Sequence, residues 1–227
     1  MVLRLATLML ALVASSGCRA PAENRYSPLD AGRTWKYRLT SRFGAAGEAV
    51  IEATNLPPRR VGWTFRSVTP QRIDANGQQH LLFYGLDHQG VYFYGVQSPA
   101  SADPKLESSP QYAIMYPVEK GKTWEDESWT TFLPKPVRVK LKSQIAGTDE
   151  VVRVRAGEFK NCLRVRSEGS TRIPIPQSYS RFVIVVVNYD TWYAPGVGMV
   201  KSESDEWNNG GDFARAQITT ELESYTN

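Results

Sequence analysis

The chain has 227 residues, of which 41% are hydrophobic and 22% are charged, and its formal net charge is +4 at pH 7. This length is ample for one large domain with its own hydrophobic core. The two cysteines, Cys18 and Cys162, are too few for a fold that several disulfides hold together, so the core alone must stabilise the domain.

The N-terminal segment has the features of an export signal. Residues 5–14 form an apolar run after the single charge of Arg4, and this run is too short to span a bilayer, which needs roughly 20 apolar residues. The sequence "SSGC" then ends at Cys18 and resembles the lipobox of bacterial lipoproteins, in which the cysteine becomes the lipidated first residue. The resemblance implies a signal peptide over residues 1–17, a lipid on Cys18 and a tether over residues 18–25.

A second interpretation of this segment remains open, because Ser15 stands where the lipobox usually has leucine. Cleavage after "APA", residues 20–22, would release a soluble secreted protein instead. The lipoprotein interpretation predicts a chain anchored in the cell envelope, and Arg19 after the cysteine is compatible with sorting to the outer membrane, facing the periplasm.

Lipidation would leave Cys162 without a partner, so we expect no disulfide. Nucleic acid is not an expected partner of an exported protein.

The repeated sequences "PLDAGRTW" (Pro28–Trp35) and "PVEKGKTW" (Pro117–Trp124) predict two similar strand starts. Proline sets a turn dihedral, glycine supplies a conformation that other residues resist, and tryptophan provides a large apolar anchor. We expect both tryptophans to be buried. Two such starts predict two sheet layers or two half-barrels, joined by a flexible Ser/Pro-rich connection at residues 98–110.

The rest of the chain is typical of strands and turns. Apolar and polar residues alternate in several segments, which is the period of a half-buried strand; these are "TWKYRL" (34–39), "VRVKLK" (137–142) and "VVRVRAGEFKNCLRVR" (151–166), the last with a reversal at Gly157. The run "LLFYGLDHQGVYFYGV" (81–96) predicts a hairpin, and "FVIVVV" (182–187) predicts a strand covered on both faces. We therefore predict an all-β, antiparallel fold, an open or half β-barrel or a sandwich, with little helix beyond the signal segment and one domain over residues 26–227.

Four motifs resemble those of uncharacterised bacterial envelope lipoproteins, in which they occur in the same order. They are "YSPLDAGRTWKY", "YPVEKGKTW", "RAGEFKNCLRV" and "WYAPGVGMVKSE". The resemblance implies an envelope compartment and an antiparallel β fold, similar to the open half-barrels of periplasmic lipoprotein carriers. It implies no reaction.

The sequence lacks the motifs of common enzyme classes. It has no G-x-S-x-G, no G-x-x-x-x-G-K and no H-E-x-x-H, and we expect its two histidines, His80 and His88, at the surface. Acidic clusters at Glu125–Glu127 and Asp205–Glu206 are interpreted as solvated strand ends, and Cys162 as an inert, partly covered thiol. We therefore predict a protein without catalytic residues, metal site or cofactor.

The first predicted binding surface is a basic stripe. Residues 137–166 contain eight basic and three acidic residues, a balance of +5 (8 minus 3), and strand alternation would place most of the cations on one sheet face. The binding residues predicted from it are Arg138, Lys140, Lys142, Arg153, Arg155, Arg164 and Arg166. Such a face suits phospholipid headgroups or another anionic envelope polymer, and the alternative is an ordinary solvated face that resists aggregation.

The second predicted surface is the aromatic hairpin, with Phe83, Tyr84, Tyr92 and Tyr94 as binding residues. Both of its faces are apolar, so one must pack on the core and the other is available to line a groove for acyl chains or to stack on sugars. The alternative is a simple cover by the 98–110 connection. Together the two surfaces predict a non-enzymatic envelope lipoprotein that binds lipid or another apolar or anionic envelope ligand. The second hypothesis is a structural or assembly lipoprotein that docks protein partners.

Overall fold

The computed structural model describes residues 25–43, 45–62, 66–99, 101, 103–131, 133, 135–174, 182–208 and 215–226. The predicted signal peptide (1–17), Cys18 and the tether up to residue 24 lie outside the described residues. In the described part, no helix has the length and apolar character needed to cross a membrane. The regular structure there consists of strands: β1 (Thr34–Phe43), β2 (Ala45–Asn55), β3 (Arg59–Val61), β4 (Arg66–Ala75), β5 (Gln78–Asp87), β6 (Gly90–Gln97), β7 (Lys105–Met115), β8 (Thr123–Trp129), β9 (Arg138–Val154), β10 (Gly157–Pro174), β11 (Phe182–Ala194), β12 (Gly198–Asn208) and β13 (Ala216–Thr226).

The strands form one antiparallel sheet in the order β7-β6-β5-β4-β2-β1-β13-β12-β11-β10-β9-β8, with β3 paired to β4 beside this path. Six strands from β1 to β7 and six from β8 to β13 are therefore two meanders, and they join where β1 pairs with β13. The prediction of an all-β antiparallel fold is confirmed. The two predicted halves belong to one continuous sheet and not to separate layers.

The two ends of the sheet, β7 and β8, meet through side chains and make the sheet nearly closed and barrel-shaped. Trp124 Nε1 donates to the Tyr112 carbonyl at 2.8 Å, and the Glu127 amide donates to Gln111 Oε1 at 3.2 Å. Strands inside the sheet are joined by a backbone ladder. Among the described residues, β7 and β8 form no such ladder with each other, and these side-chain contacts take its place at the β7–β8 seam.

The repeated octapeptide works as a strand start in both places. Gly32 and Gly121 have φ of 88° and 94°, in the left-handed region that favours glycine. Trp35 and Trp124 are 5% and 6% exposed, which confirms their predicted burial. Each indole N–H also donates to a backbone carbonyl, that of Val197 for Trp35 at 2.7 Å and that of Tyr112 for Trp124.

The predicted flexible connection at residues 98–110 is wrong in its extent, because residues 105–110 belong to β7. Phe93 pairs with Gln111 and Gly95 pairs with Leu106. Residues 107–110 therefore stand opposite Tyr94 alone, in a large irregularity of the ladder. An edge strand at a bulge tolerates proline, since no backbone N–H is needed there for a ladder. The Ser/Pro-rich composition that predicted a loop therefore also occurs in an irregular edge strand, at residues 105–110.

The hairpin predicted around Gly157 is confirmed and is longer than expected. β9 and β10 reverse at residues 155–156, and the tip of this hairpin packs on β13: the Ala156 amide donates to the Leu222 carbonyl at 3.0 Å, and the Phe159 and Tyr225 rings lie 6.1 Å apart. Strand β11 differs from its prediction, because only alternate residues, Val183, Val185 and Val187, are buried.

Candidate functional site

An apolar cavity of about 330 Å³ lies inside the barrel-shaped sheet. This volume is at the small end of the range of ligand pockets, roughly 300–1,000 Å³. Strands β1, β2, β4–β7 and β11–β13 contribute to its wall, together with the segment before β1. The lining residues are Ser27, Pro28, Leu29, Trp35, Tyr37, Ile51, Ala53, Gln71, Ile73, His80, Leu82, Tyr84, Val91, Ala113, Tyr193, Gly198, Met199 and Thr220.

Strand alternation places the lining residues inward. Ile51 and Ala53 of β2 are two residues apart, as are Leu82 and Tyr84 of β5, and residues two apart lie on the same face of a strand. His80 continues the inward series of β5, so it is a lining residue and not the surface residue that the sequence predicted. His88 lies in the β5–β6 turn and is exposed, as predicted.

The aromatic hairpin divides its four predicted residues between two environments. Tyr84 lines the cavity, and its ring meets that of Phe93 edge-on at 5.9 Å. Phe83, Tyr92 and Tyr94 lie on the opposite face and are 0%, 3% and 7% exposed. That face is closed, so these three residues do not line a groove.

The cover over this second face comes mainly from β3 and two arginines. Val61 of β3 and Val68 of β4 pack into the aromatic cluster, with Leu106 of β7 at its margin. The Arg59 guanidinium lies 5.0 Å above the Phe83 ring, and that of Arg66 lies 5.6 Å from the Tyr94 ring. The cover that the sequence assigned to the 98–110 segment alone is thus shared between Leu106 of that segment, Val61 of β3, Val68 of β4 and the two arginines.

Three tyrosine hydroxyls reach the cavity region. The Tyr37 hydroxyl donates to the Met199 carbonyl at 3.1 Å. Burial raises the pKa of Tyr84 to about 12, and burial together with the nearby Tyr84 raises the pKa of Tyr193 well above its usual range. All three phenols therefore remain protonated at neutral pH and act as hydrogen-bond donors.

Asp126 of β8 faces the interior near Tyr193. Burial raises the pKa of this carboxyl to about 6, although its Oδ1 accepts a hydrogen bond from the Glu127 amide at 2.8 Å, which acts in the opposite direction. The charge of Asp126 contributes to the raised pKa of Tyr193. The prediction of a solvated strand end is wrong for Asp126, which is partly buried. Strand alternation places it on the same face of β8 as the buried Trp124, and Glu125 and Glu127 on the other face.

Glu206 is also buried, contrary to the same prediction. It is 0% exposed and accepts hydrogen bonds from the Thr131 amide at 3.0 Å, the Thr131 hydroxyl at 2.8 Å and the Tyr189 hydroxyl at 3.2 Å. A buried carboxylate with this many donors holds the segment after β8 against β12. We therefore assign Glu206 a structural role.

The seven cations of the predicted basic stripe lie on β9, β10 and the turn between them, where most are exposed. Arginines of the stripe form ion pairs: Arg138 with Glu107 and Glu127 at 2.6 Å, Arg153 with Glu158 at 2.7 Å, Arg155 with Glu223 at 3.9 Å, Arg164 with Asp190 at 2.7 Å and Arg166 with Asp190 at 3.2 Å. Lys140 and Lys142 stand opposite Glu127 and Glu125 of β8. Neighbouring strands thus balance much of the stripe's charge, and its binding role stays a prediction.

Cys162 is more fully covered than expected, at 0% exposed. The pairing of β9 and β10 shifts on both sides of Cys162, so it is buried like its neighbour Leu163 although strand alternation would separate them. Burial raises the pKa of the thiol to about 11. A thiol in this state is a poor nucleophile at neutral pH.

Among the described residues, no group of three or more His, Cys, Asp or Glu side chains is arranged to hold a metal ion. The sequence did not identify Tyr193, Leu82 or Asp126 as parts of a site. Tyr193 lies within "WYAPGVGM". Strand alternation places it on the opposite face from Trp192, and this alternation was the available sequence signal that Tyr193 faces a different environment.

Comparisons with known proteins give two distant structural likenesses. One is a candidate exported protein with a YmcC-like fold from Bacteroides fragilis, with 14% identity and a TM-score of 0.42 over 87% of this chain and 97% of that one. The other is a candidate lipoprotein from Parabacteroides distasonis, with 14% identity and a TM-score of 0.39 over 88% and 97%. No model of a protein family and no curated protein sequence matches the chain. At these values neither likeness bears on the function of this chain.

Proposed function

We propose that the protein is a non-enzymatic bacterial envelope lipoprotein that holds an apolar ligand, such as the acyl chain of a lipid, inside its barrel-shaped sheet. The observation that carries the proposal is the cavity of about 330 Å³ with its largely apolar wall. Each ligand methylene that leaves water for such a wall contributes about 0.8 kcal/mol. The aromatic hairpin contributes Tyr84 to the cavity wall, whereas the residues on its opposite face are buried and have a structural role.

The N-terminal segment supports a location beside the membrane. A lipid on Cys18 would lie seven residue steps from Arg25, or at most about 25 Å of extended chain. Tyr26 is 2% exposed, and the Gly196 amide donates to the Arg25 carbonyl at 2.6 Å, so the chain is fixed to the sheet directly after the tether. Pro28 and Leu29 then line the cavity. The anchor would therefore hold this side of the cavity close to the bilayer.

Native mass spectrometry of the full chain, extracted from bacterial membranes, tests the proposal. We expect a co-purified lipid on the wild-type protein. Ala113→Phe should displace it, because Ala113 lines the cavity and a phenyl ring there would intrude into the space that the ligand occupies. Ser109→Phe is the matched control, since Ser109 is an exposed residue of the same strand.

Two results would contradict the proposal. One is a wild-type protein without bound lipid, and the other is a lipid that Ala113→Phe does not displace. A lipid-free protein that instead retains an envelope protein on purification would favour the second hypothesis, a structural or assembly lipoprotein.

A further inference from the structure

The cavity wall contains two phenol hydroxyls that the fold itself does not use. Tyr84 and Tyr193 both line the cavity and are partly buried. Within the part of the chain that the structure describes, neither hydroxyl forms a hydrogen bond, whereas Tyr37, the third phenol of the group, donates to the Met199 carbonyl. Each hydroxyl is open to the cavity, and a ligand that covers it must supply an acceptor, because a covered donor without a partner is costly.

The two phenols line the same cavity of about 330 Å³. The contribution of Tyr84 to the raised pKa of Tyr193 agrees with this placement. Since both remain protonated at neutral pH, they offer donors to one region of the cavity. Most of the remaining wall is apolar, with Ile73, Leu82 and Val91 among its members. The other polar side chains that line it are Ser27, Gln71, His80 and Thr220.

The charges around the cavity disfavour an anionic acceptor. No lysine or arginine is among the described residues that line it, and His80 is the one lining side chain that can carry a positive charge. Asp126, near Tyr193, adds negative charge. An ionised carboxylate placed here would lose its hydration without gaining a cation, whereas a neutral carbonyl would lose much less.

We propose that Tyr84 and Tyr193 form a subsite for the neutral carbonyl oxygen of an acyl ester or amide, whose apolar chain occupies the rest of the cavity. This inference rests on the proposed function, because it names the chemical class of the ligand. The two phenols donate to the carbonyl oxygen, and the ligand is thereby fixed along the cavity as well as held by apolar contact.

Calorimetry with three probes of equal chain length tests the subsite: methyl dodecanoate with a neutral carbonyl, dodecane with none, and dodecanoate with a charge. The protein is the full chain extracted from membranes in an alkyl maltoside, a detergent without a carbonyl.

The double variant Tyr84→Phe/Tyr193→Phe keeps both rings, and Tyr225→Phe, outside the cavity lining, is the control. The double variant should bind methyl dodecanoate about tenfold more weakly and dodecane within about twofold of wild type. Dodecanoate should bind the wild-type protein more weakly than methyl dodecanoate does. We expect the same order of affinities for the variant His80→Gln.

The outcomes separate the subsite from the proposed function. Equal binding of methyl dodecanoate to wild type and the double variant would refute the subsite and leave the apolar cavity intact, as would tighter binding of dodecanoate than of the ester. If wild type binds neither methyl dodecanoate nor dodecane, the proposed function fails and the subsite with it.

Infrared spectroscopy gives a second readout that does not depend on affinity. A carbon-13 label in the ester carbonyl should absorb at lower frequency on the wild-type protein than on the double variant, because hydrogen bonds weaken the carbonyl bond. An identical frequency on both proteins would show that water alone, or nothing, meets the two hydroxyls and would overturn the assignment.

Discussion

Replacing Asp126 with asparagine should stabilise the protein at neutral pH and have little effect at pH 4. Burial raises the pKa of this carboxyl from its ordinary value of 3.8 to about 6 in the folded state. Between these pH values the folded protein holds a proton that the unfolded chain has released. Stability therefore falls as pH rises from about 4 to about 6, and the cost of the buried charge is fully present above that.

The size of the effect follows from the shift in pKa. One unit corresponds to about 1.4 kcal/mol, so a rise of roughly two units costs about 3 kcal/mol above pH 6. Partial access of water to Asp126 reduces this figure, and we expect roughly 1 to 3 kcal/mol. Asparagine cannot ionise, and its Oδ1 can still accept the hydrogen bond from the Glu127 amide.

Urea unfolding of wild type and Asp126→Asn at pH 4, 5, 6 and 7.5 measures the difference directly. Other carboxylates titrate in both proteins, so their contributions cancel in the difference between the two unfolding free energies. Asp103→Asn, at an exposed position between β6 and β7, is the control and should show little dependence on pH. A difference for Asp126→Asn that stays constant with pH, or that grows towards pH 4, would refute the reasoning.

Three further predictions concern other parts of the chain. Trp35→Ala and Trp124→Ala should each lower the unfolding free energy by about 3 to 5 kcal/mol in urea melts, because each removes a buried ring and leaves a carbonyl without its donor; a loss below about 1 kcal/mol for both would contradict their role as anchors. Cys162 should react with iodoacetamide only after unfolding, since it is 0% exposed, and rapid labelling of the folded protein would contradict its burial. Cys18→Ser should release the chain from membranes in cell fractionation, and a variant that stays membrane-bound would argue against lipidation.

The sequence predicted the strands well because each carries its own signal. Alternation in "TWKYRL" placed Trp35 and Tyr37 on the inner face, and the turn chemistry of Gly32 marked the start of β1 without reference to the rest of the chain. Such local patterns depend on residues within one strand, so one sequence is sufficient to find them.

The environment of each sheet face was harder to predict, because it depends on strands far apart in sequence. Both faces of the aromatic hairpin are apolar, and the arrangement of distant strands decides that Tyr84 meets the cavity while Phe83 is covered. The acidic partners of the basic stripe were missed for the same reason: Asp190, which pairs with Arg164, lies 26 residues further along the chain. Register between strands brings such partners together, and alternation alone does not determine register.

Photocrosslinking in living cells tests the central claim, that the cavity holds a lipid, most directly. A diazirine amino acid in place of Leu82 would point into the cavity, whereas the same residue in place of Gln79, exposed on the same strand, would not. After irradiation and purification of the full chain, we predict a lipid acyl adduct at position 82 and none at position 79. The absence of a lipid adduct at position 82, or equal adducts at both positions, would contradict the account.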